Sequence, residues 1–358
     1  MESLAVAAEF WRGKRVVVTG HTGFKGSWLV TWLKQLGAEV TGVALAPNTS
    51  PALFELLDLE TKVEHRVVDI CNATEVQQVI RAANPDVLFH LAAQPLVIDS
   101  YQRPLLTMAT NVMGTAHVLD AARQCRALKA AIVITTDKVY RPDPNGARHL
   151  ETDHLGGHDP YSASKACTEL LVDSFRASFF SVPNSPEIAT VRAGNVIGGG
   201  DFAENRLVPD ICRAWASNSQ VIIRQPKAIR PWQHVLDALH AYLLLAQSLC
   251  QSKGFGRAWN IGPAADDMWP VGDIVAYMQT LWNGAKGMKI EPMEYHENPS
   301  LLLNSDAIAQ AMGWRPVWDL PQALENTTRW YQLWADGLDV KDLTNCQIEQ
   351  FMKDACHS

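Results

Sequence analysis

Along the first half of the chain, short apolar runs alternate with longer stretches whose apolar residues recur at helical spacing. Runs of strand length lie at Arg15–Thr19, Glu39–Ala44, Glu64–Val68, Asp86–Leu91, Ala130–Thr135 and Ile188–Arg192. Between them, helical patterns occupy Ser27–Leu36, Thr74–Ala83, Leu105–Arg123 and Tyr161–Phe179. Strands separated by helices predict βαβ units, hence a parallel sheet covered on both faces. The expected fold class is α/β, a Rossmann-type doubly wound parallel sheet. After Asn195 the alternation loosens into Gly198-Gly199-Gly200, scattered prolines and mixed short elements. Helices are still predicted at Val235–Cys250, Val271–Trp282 and Leu320–Asp336. The expected domains are a dinucleotide-binding unit over 10–194, a smaller mixed substrate lobe over 195–340 and a C-terminal tail over 341–358. Part of the lobe has room to return to the first domain.

Composition narrows the class. At about 150 residues per domain, 358 residues allow two domains or one large α/β unit. The balance of 31 basic and 38 acidic residues gives a net charge of -7, with none of the basic excess a nucleic-acid binder displays. The most apolar helical stretch, Ala238–Cys250, is too short to span a bilayer and contains His240 and Gln247. Met1–Val6 carries an acid and no basic run, so no secretory signal is expected and a cytoplasmic location is. Seven dispersed cysteines without a C-x-x-C pair read as reduced thiols. His149, Glu151, Asp153, His154 and His158 match no metal-ligand spacing, so no metal is expected. A hydrolase is disfavoured because no G-x-S-x-G elbow occurs. Trp314, Trp318, Trp330 and Trp334, at near-helical spacings, read as core or interface.

Gly20-His21-Thr22-Gly23-Phe24-Lys25-Gly26 joins the first strand to the first helix. Glycines at this spacing let backbone approach a pyrophosphate, which then sits at the positive end of the helix. An NAD-preferring loop usually has an acid about 20 residues further on. Here that offset falls on Ala46, and no basic residue stands nearby to hold a 2′-phosphate. NAD is the expected cofactor, with NADP as the alternative. Asp69, just past the third strand, can either bond the adenine amino group or cap the next helix.

Tyr161 and Lys165 form Y-x-x-x-K behind Asp159-Pro160. The spacing puts both side chains on one face of a helix starting near Pro160. A lysine beside a phenol favours phenolate, so the tyrosine is expected to work as a base near neutral pH. Upstream, Thr136-Asp137-Lys138 sits at the carboxyl end of a predicted strand, where doubly wound folds place their sites. An acid and an amine there exceed what a simple dehydrogenase requires.

These stretches resemble the extended short-chain dehydrogenase/reductase family, and within it the CDP-glucose 4,6-dehydratases. The resemblance runs through Gly20–Leu29, His90–Val97, Thr110–Thr115, Thr136–Lys138, the Tyr161/Lys165 pair, Val191–Asp201 and Ile229–Val235. It spans about Phe10 to Trp334. Lys138, where many sugar-nucleotide dehydratases carry glutamate, matches the CDP-glucose pattern.

The resemblance implies a reaction in three steps on a sugar nucleotide. Thr136 orients the substrate and Tyr161 removes the C4 hydroxyl proton during oxidation by NAD. Lys138 then takes the C5 proton while Asp137 assists the hydroxyl leaving C6, and C6 is finally reduced. Burial favours a protonated Asp137, and the two lysines oppose it. It also implies cofactor contacts from Gly20, Thr22, Gly23, Phe24, Lys25, Gly26, Asp69, Ile70, Leu91, Ala92, Ala93, Tyr161 and Lys165. Gln94, Asn195, Arg206 and Arg230 fall to the substrate, the arginines suiting a diphosphate. A homodimer through a four-helix bundle of Leu105–Arg123 and Tyr161–Phe179 follows from the same likeness, as does a role in deoxysugar and O-antigen biosynthesis. The segment Arg141–Arg148 is shorter than the family's loop, and Leu301–Asn304 lacks its lysine and aspartate. A 4-epimerase or reductase, and a non-catalytic nucleotide-binding protein, are the alternatives.

Overall fold

A computed structural model describes residues 6–143, 146–182, 184–264, 267–291 and 301–357. Pro144 and Asn145 of the shortened loop, and residues 1–5 of the N-terminal reading, lie outside them.

All six predicted strands form: β1 Arg15–Thr19, β2 Glu39–Ala44, β3 Glu64–Val67, β4 Val87–His90, β5 Ala130–Ile134 and β6 Glu187–Ala193. The short strands β7 Asn195–Ile197, β8 Val221–Ile223 and β9 Trp232–His234 follow, then β10 Ala258–Ile261 and β11 Met288–Ile290. The main sheet is seven-stranded and parallel, in the order β10-β6-β5-β4-β1-β2-β3. Its seventh strand, β10, comes from the region past residue 195 and returns to pair with β6. Four residues, one of them the buried Asn260, make too short and too polar a run to read in advance. β7 pairs with β9 and β8 with β11, both in parallel.

The helix Phe24–Gln35 follows the glycine turn and buries Trp28, Leu29, Trp32 and Leu33. Trp28 Nε1 donates to Gly199 O at 2.9 Å. A Cβ on Gly199 would stand 2.0 Å from the Trp330 ring, so a glycine there lets the backbone pack directly against that indole. The apolar stretch Val235–Gln251 is a helix buried nearly all round, because it packs between β5, β6, β9 and the helices Phe24–Gln35 and Asp306–Met312. Trp314, Trp318 and Trp330 are core residues, while Trp334 is half-buried against Phe202. Beyond residue 340 the chain is a helix, Val340–Ala355, rather than a loose tail. Its Phe351 meets the Trp32 and Trp318 rings edge-on at 5.6 and 5.2 Å.

The pattern at Leu105–Arg123 is less regular than expected. Short helices Val97–Gln102 and Pro104–Met108 lead into a π turn, Ala109–Gly114, and then the helix Thr115–Ala122. A π turn carries one extra residue, and here it turns the buried Asn111 inward. The Asn111 amide nitrogen donates to Gln94 O and to Ser164 Oγ, and its oxygen accepts from Gln94 N. Gly114, at the end of this turn, leaves room for Ile70, since a Cβ there would lie 2.6 Å from Ile70 Cδ1.

Candidate active site

The carboxyl ends of β1, β4, β5 and β6 open into one cavity of about 1160 Å³. That exceeds the roughly 300–1,000 Å³ of a pocket for a single small molecule. All the cofactor, substrate and catalytic residues singled out from the sequence line it.

At the β1 end, Gly20 adopts φ +74°, and a Cβ on it would stand 2.6 Å from Ala92 N. A Cβ on Gly26 would stand 2.2 Å from Gly20 O. Both glycines are therefore demanded by backbone packing. Gly23 meets nothing closer than Gly20 O at 3.5 Å, which leaves the start of the helix open to the cavity. The first amides of a helix lack intrahelical acceptors, so this cradle fits a pyrophosphate. Thr22 Oγ1 donates to Leu45 O at 2.9 Å and ties the loop to the end of β2. Thr19 Oγ1 accepts from Ala92 N and bonds His90 Nδ1 at 2.7 Å, while His90 Nε2 bonds Thr115 Oγ1 at 2.9 Å. Burial holds His90 neutral, with its pKa lowered to about 3.

Ala44, Leu45, Ala46, Val68, Asp69 and Ile70 wall the adjoining end of the cavity. Their one charge is a carboxylate, which suits ribose hydroxyls and repels a 2′-phosphate. These features fit NAD. Asp69 does not cap the next helix: its Oδ1 accepts from Cys71 N, and Asn72 is the cap, accepting from Glu75 N.

Asp159 accepts from Ser162 N at 2.8 Å and Pro160 occupies the first turn, so the helix Pro160–Phe179 starts immediately before Tyr161. Tyr161 and Lys165 are both buried, and among the described residues no hydrogen bond joins them. Lys165 Nζ donates to Ile134 O at 3.1 Å. Burial pushes the Tyr161 phenol up to about 12, against the pull of the Thr136 hydrogen bond and of Arg206. Burial, then Lys25, brings Lys165 down to about 8. Burial governs the phenol, and the Lys165 ammonium is turned toward the strand carbonyl.

Thr136 Oγ1 donates to Asp137 Oδ1 at 2.9 Å, and Lys138 N donates back to Thr136 Oγ1 at 3.3 Å. Asp137 is 2% exposed, and burial raises its pKa against Lys138, Thr136, Arg230 and Lys25. Its Oδ2 is buried without a hydrogen-bond partner among the described residues. A carboxyl in that state favours the protonated form and has one oxygen free for a ligand.

On the other wall, Arg206 Nη1 donates to Asp201 Oδ2 at 2.8 Å, and Arg230 Nη1 to Ile229 O at 2.9 Å. Asn195 opens β7, whose approach to β9 is fixed by Gly194: a Cβ there would lie 2.4 Å from Pro231 Cγ. Gln94 lines the cavity, but its amide is occupied by Leu96 O, Leu96 N and Thr107 Oγ1, so it shapes the turn after β4. Lys25, read as a cofactor contact, is also coupled to Arg206, Asp137 and Asp201 across the cavity. Burial lowers its pKa to about 8. Lys25, Lys138, Lys165, Arg206 and Arg230 line the cavity together with Asp137 and Asp201. His149 and Asp153 pair with each other at 3.1 Å, and His149 stacks on Tyr140 at 4.6 Å.

Sequence reading missed Glu169, Arg192, Tyr140 and Asn260, which form a buried network under this site. One turn beyond Lys165, Glu169 continues the Tyr161/Lys165 spacing, and that was the available signal.

The family model described as NAD dependent epimerase/dehydratase matches residues 16–262. The CDP-glucose 4,6-dehydratase of Salmonella typhimurium is 43% identical over 349 residues, covering 96% of this chain and 97% of that protein. Among solved structures, the Thermotoga maritima UDP-glucose 4-epimerase with UDP-glucose superposes with a TM-score of 0.78 at 21% identity, covering 88% of this chain and 98% of that one. A Streptomyces venezuelae dTDP-glucose 4,6-dehydratase with NAD and TYD bound gives 0.77 at 20% identity, covering 90% and 98%.

Proposed function

Given that the chain belongs to the NAD dependent epimerase/dehydratase family, we propose that it is an NAD-dependent hydro-lyase converting CDP-glucose to CDP-4-keto-6-deoxyglucose. The observation that carries this reading is the buried Asp137 Oδ2, without a hydrogen-bond partner among the described residues, beside Thr136 and followed directly by Lys138. An epimerase has no leaving water to protonate and no C5 proton to remove. The relative at 43% identity acts on the same sugar nucleotide by name.

Residues 10–194 would hold the cofactor, at the glycine cradle, Asp69, Ile70 and Leu91–Ala93, and residues 195–340 most of the substrate. Bound NAD supplies a reversible hydride acceptor, which lets C4 be oxidised first and C6 reduced last without net redox change. Tyr161 takes the C4 hydroxyl proton, with Thr136 holding the hydroxyl in place. The 4-ketone acidifies C5, Lys138 accepts the C5 proton, and Asp137 gives its proton to the hydroxyl leaving C6 as water. Arg206 and Arg230 take the diphosphate through their planar forks, and Asn195 adds an amide donor.

The enzyme is tested with CDP-glucose, UDP-glucose, GDP-mannose and dTDP-glucose in turn, reading products by NMR. A 4-keto-6-deoxy product from CDP-glucose is expected. An epimerised product or conversion of none of the four would overturn the reading, the second in favour of a binding protein.

A second copy of the chain would cover the face of Leu105–Arg123 and Tyr161–Phe179, completing a four-helix bundle. Leu105 is 84% exposed there and Leu170 61%, with Tyr101, Met113 and Phe179 also exposed. Apolar side chains in such a cluster mark an association surface. The double variant Leu105→Asp, Leu170→Asp is expected to elute as a monomer in size-exclusion chromatography where the parent elutes as a dimer. Among the described residues no helix is long and apolar enough to cross a membrane. We place the reaction in the cytoplasm, where the seven free cysteines would stay reduced, within deoxysugar synthesis for O-antigen.

A further inference from the structure

Glu169 lies one turn after Lys165 on the helix Pro160–Phe179, and its side chain is 3% exposed. Its Oε1 accepts from Thr135 Oγ1, at the end of β5 immediately before Thr136 and Asp137. Its Oε2 accepts from Thr190 Oγ1 at 2.8 Å and pairs with Arg192 Nη2 at 2.9 Å, both on β6. Arg192 Nη1 reaches on to Tyr140 OH and Glu151 O, each at 2.9 Å, and Tyr140 OH donates to Asn260 Oδ1 on β10 at 2.6 Å. One carboxylate therefore joins the catalytic helix to the strand end that bears the acid.

We infer that Glu169 is a positioning residue for the reaction, its buried carboxylate clamping the Thr135–Asp137 strand end to the Tyr161/Lys165 helix one turn from Lys165. The inference rests on the proposed reaction in assigning the proton transfer to Tyr161, the base that a Lys165 ammonium on the same helix face favours. Lys165 is faced by Lys25 from the helix Phe24–Gln35, by neutral His90 from β4, and by Tyr161 and Glu169 from its own helix. Of these, Glu169 is the one that favours the cation, opposing both burial and Lys25. A buried ion pair alone is weak evidence of a functional role. The additional bonds to two strands, next to the catalytic turn, are what point to positioning.

Glu169→Gln keeps the shape and removes the charge. It is expected to move the alkaline limb of the kcat–pH profile down by about one unit, with CDP affinity unchanged. Thr190→Val removes a hydrogen bond to the same carboxylate but no charge, and should leave the limb in place. A second measurement needs no turnover: pH-dependent acetylation of Lys165 by acetic anhydride, read by mass spectrometry, should show the same downward shift of its midpoint in Glu169→Gln. If the parent converts none of the sugar nucleotides yet the acetylation midpoint shifts, the proposed reaction fails and the Glu169 assignment stands. Should Glu169→Gln not fold, Glu169→Asp decides, since it keeps the charge but withdraws the carboxylate. A limb at the parental pH with kcat about tenfold lower is then expected, because small misplacements of reacting groups are costly. An unmoved limb and midpoint in Glu169→Gln, or a parental kcat in Glu169→Asp, would overturn the inference.

Discussion

Tyr161→Phe is expected to lower kcat by about 10²–10⁴-fold, the usual worth of a positioned acid–base group, while leaving CDP affinity unchanged. The phenol oxygen lines the cavity from the same helical face as Lys165, and the Thr136 hydroxyl pulls its pKa down against burial. Removing it deletes the acceptor for the C4 hydroxyl proton and leaves the ring packing intact. Burial holds the phenol up at about 12, so it reaches its basic form only when cations offset the burial. Arg206 already pulls in that direction, and the positive ring of bound NAD would add to it. Steady-state kinetics and calorimetry with CDP check the two halves of the prediction. A Phe variant retaining more than a tenth of parental kcat would remove Tyr161 from the proton transfer.

Asp137→Asn is expected to stop water loss from C6 by about 10²–10⁴-fold without disturbing the pocket, because the substitution preserves shape. The partnerless Oδ2 and the upward shift of this carboxyl by burial are both explained if its proton is meant for a ligand. An amide fills the same space but has no proton of comparable acidity to give. Run in D₂O, the variant should return substrate carrying deuterium at C5, since Lys138 still exchanges that proton, while 6-deoxy product fails to accumulate. Lys138→Ala should show neither the exchange nor the product. NMR of the recovered sugar separates these outcomes. Parental product formation by Asp137→Asn would show that the leaving hydroxyl needs no acid from this side chain.

Much of this site was legible because its signals are local. Asp159-Pro160 starts a helix wherever it is followed by helix-forming residues, and the i,i+4 spacing of Tyr161 and Lys165 then fixes a shared face. Gly20 and Gly26 mark places where a Cβ would strike backbone, and six apolar runs named six strands of the sheet. β10 was invisible because its pairing with β6 joins residues far apart in sequence, and four residues carry too little pattern. The π turn at Ala109–Gly114 was equally hidden, since it answers to contacts of Asn111 and Gly114 with Gln94, Ser164 and Ile70.

The sequence by itself determined the doubly wound sheet, the glycine turn after β1 and the residue types that meet at the strand ends, because periodicity, turn chemistry and spacing act over a few residues. Tertiary structure alone decided the charge states and the wiring. Whether burial or a neighbouring lysine governs Tyr161, and whether Asp137 keeps an oxygen free, depend on desolvation by distant segments. That Glu169 faces Lys165 on one side and grips β5 and β6 on the other depends on packing between elements, which no local pattern encodes.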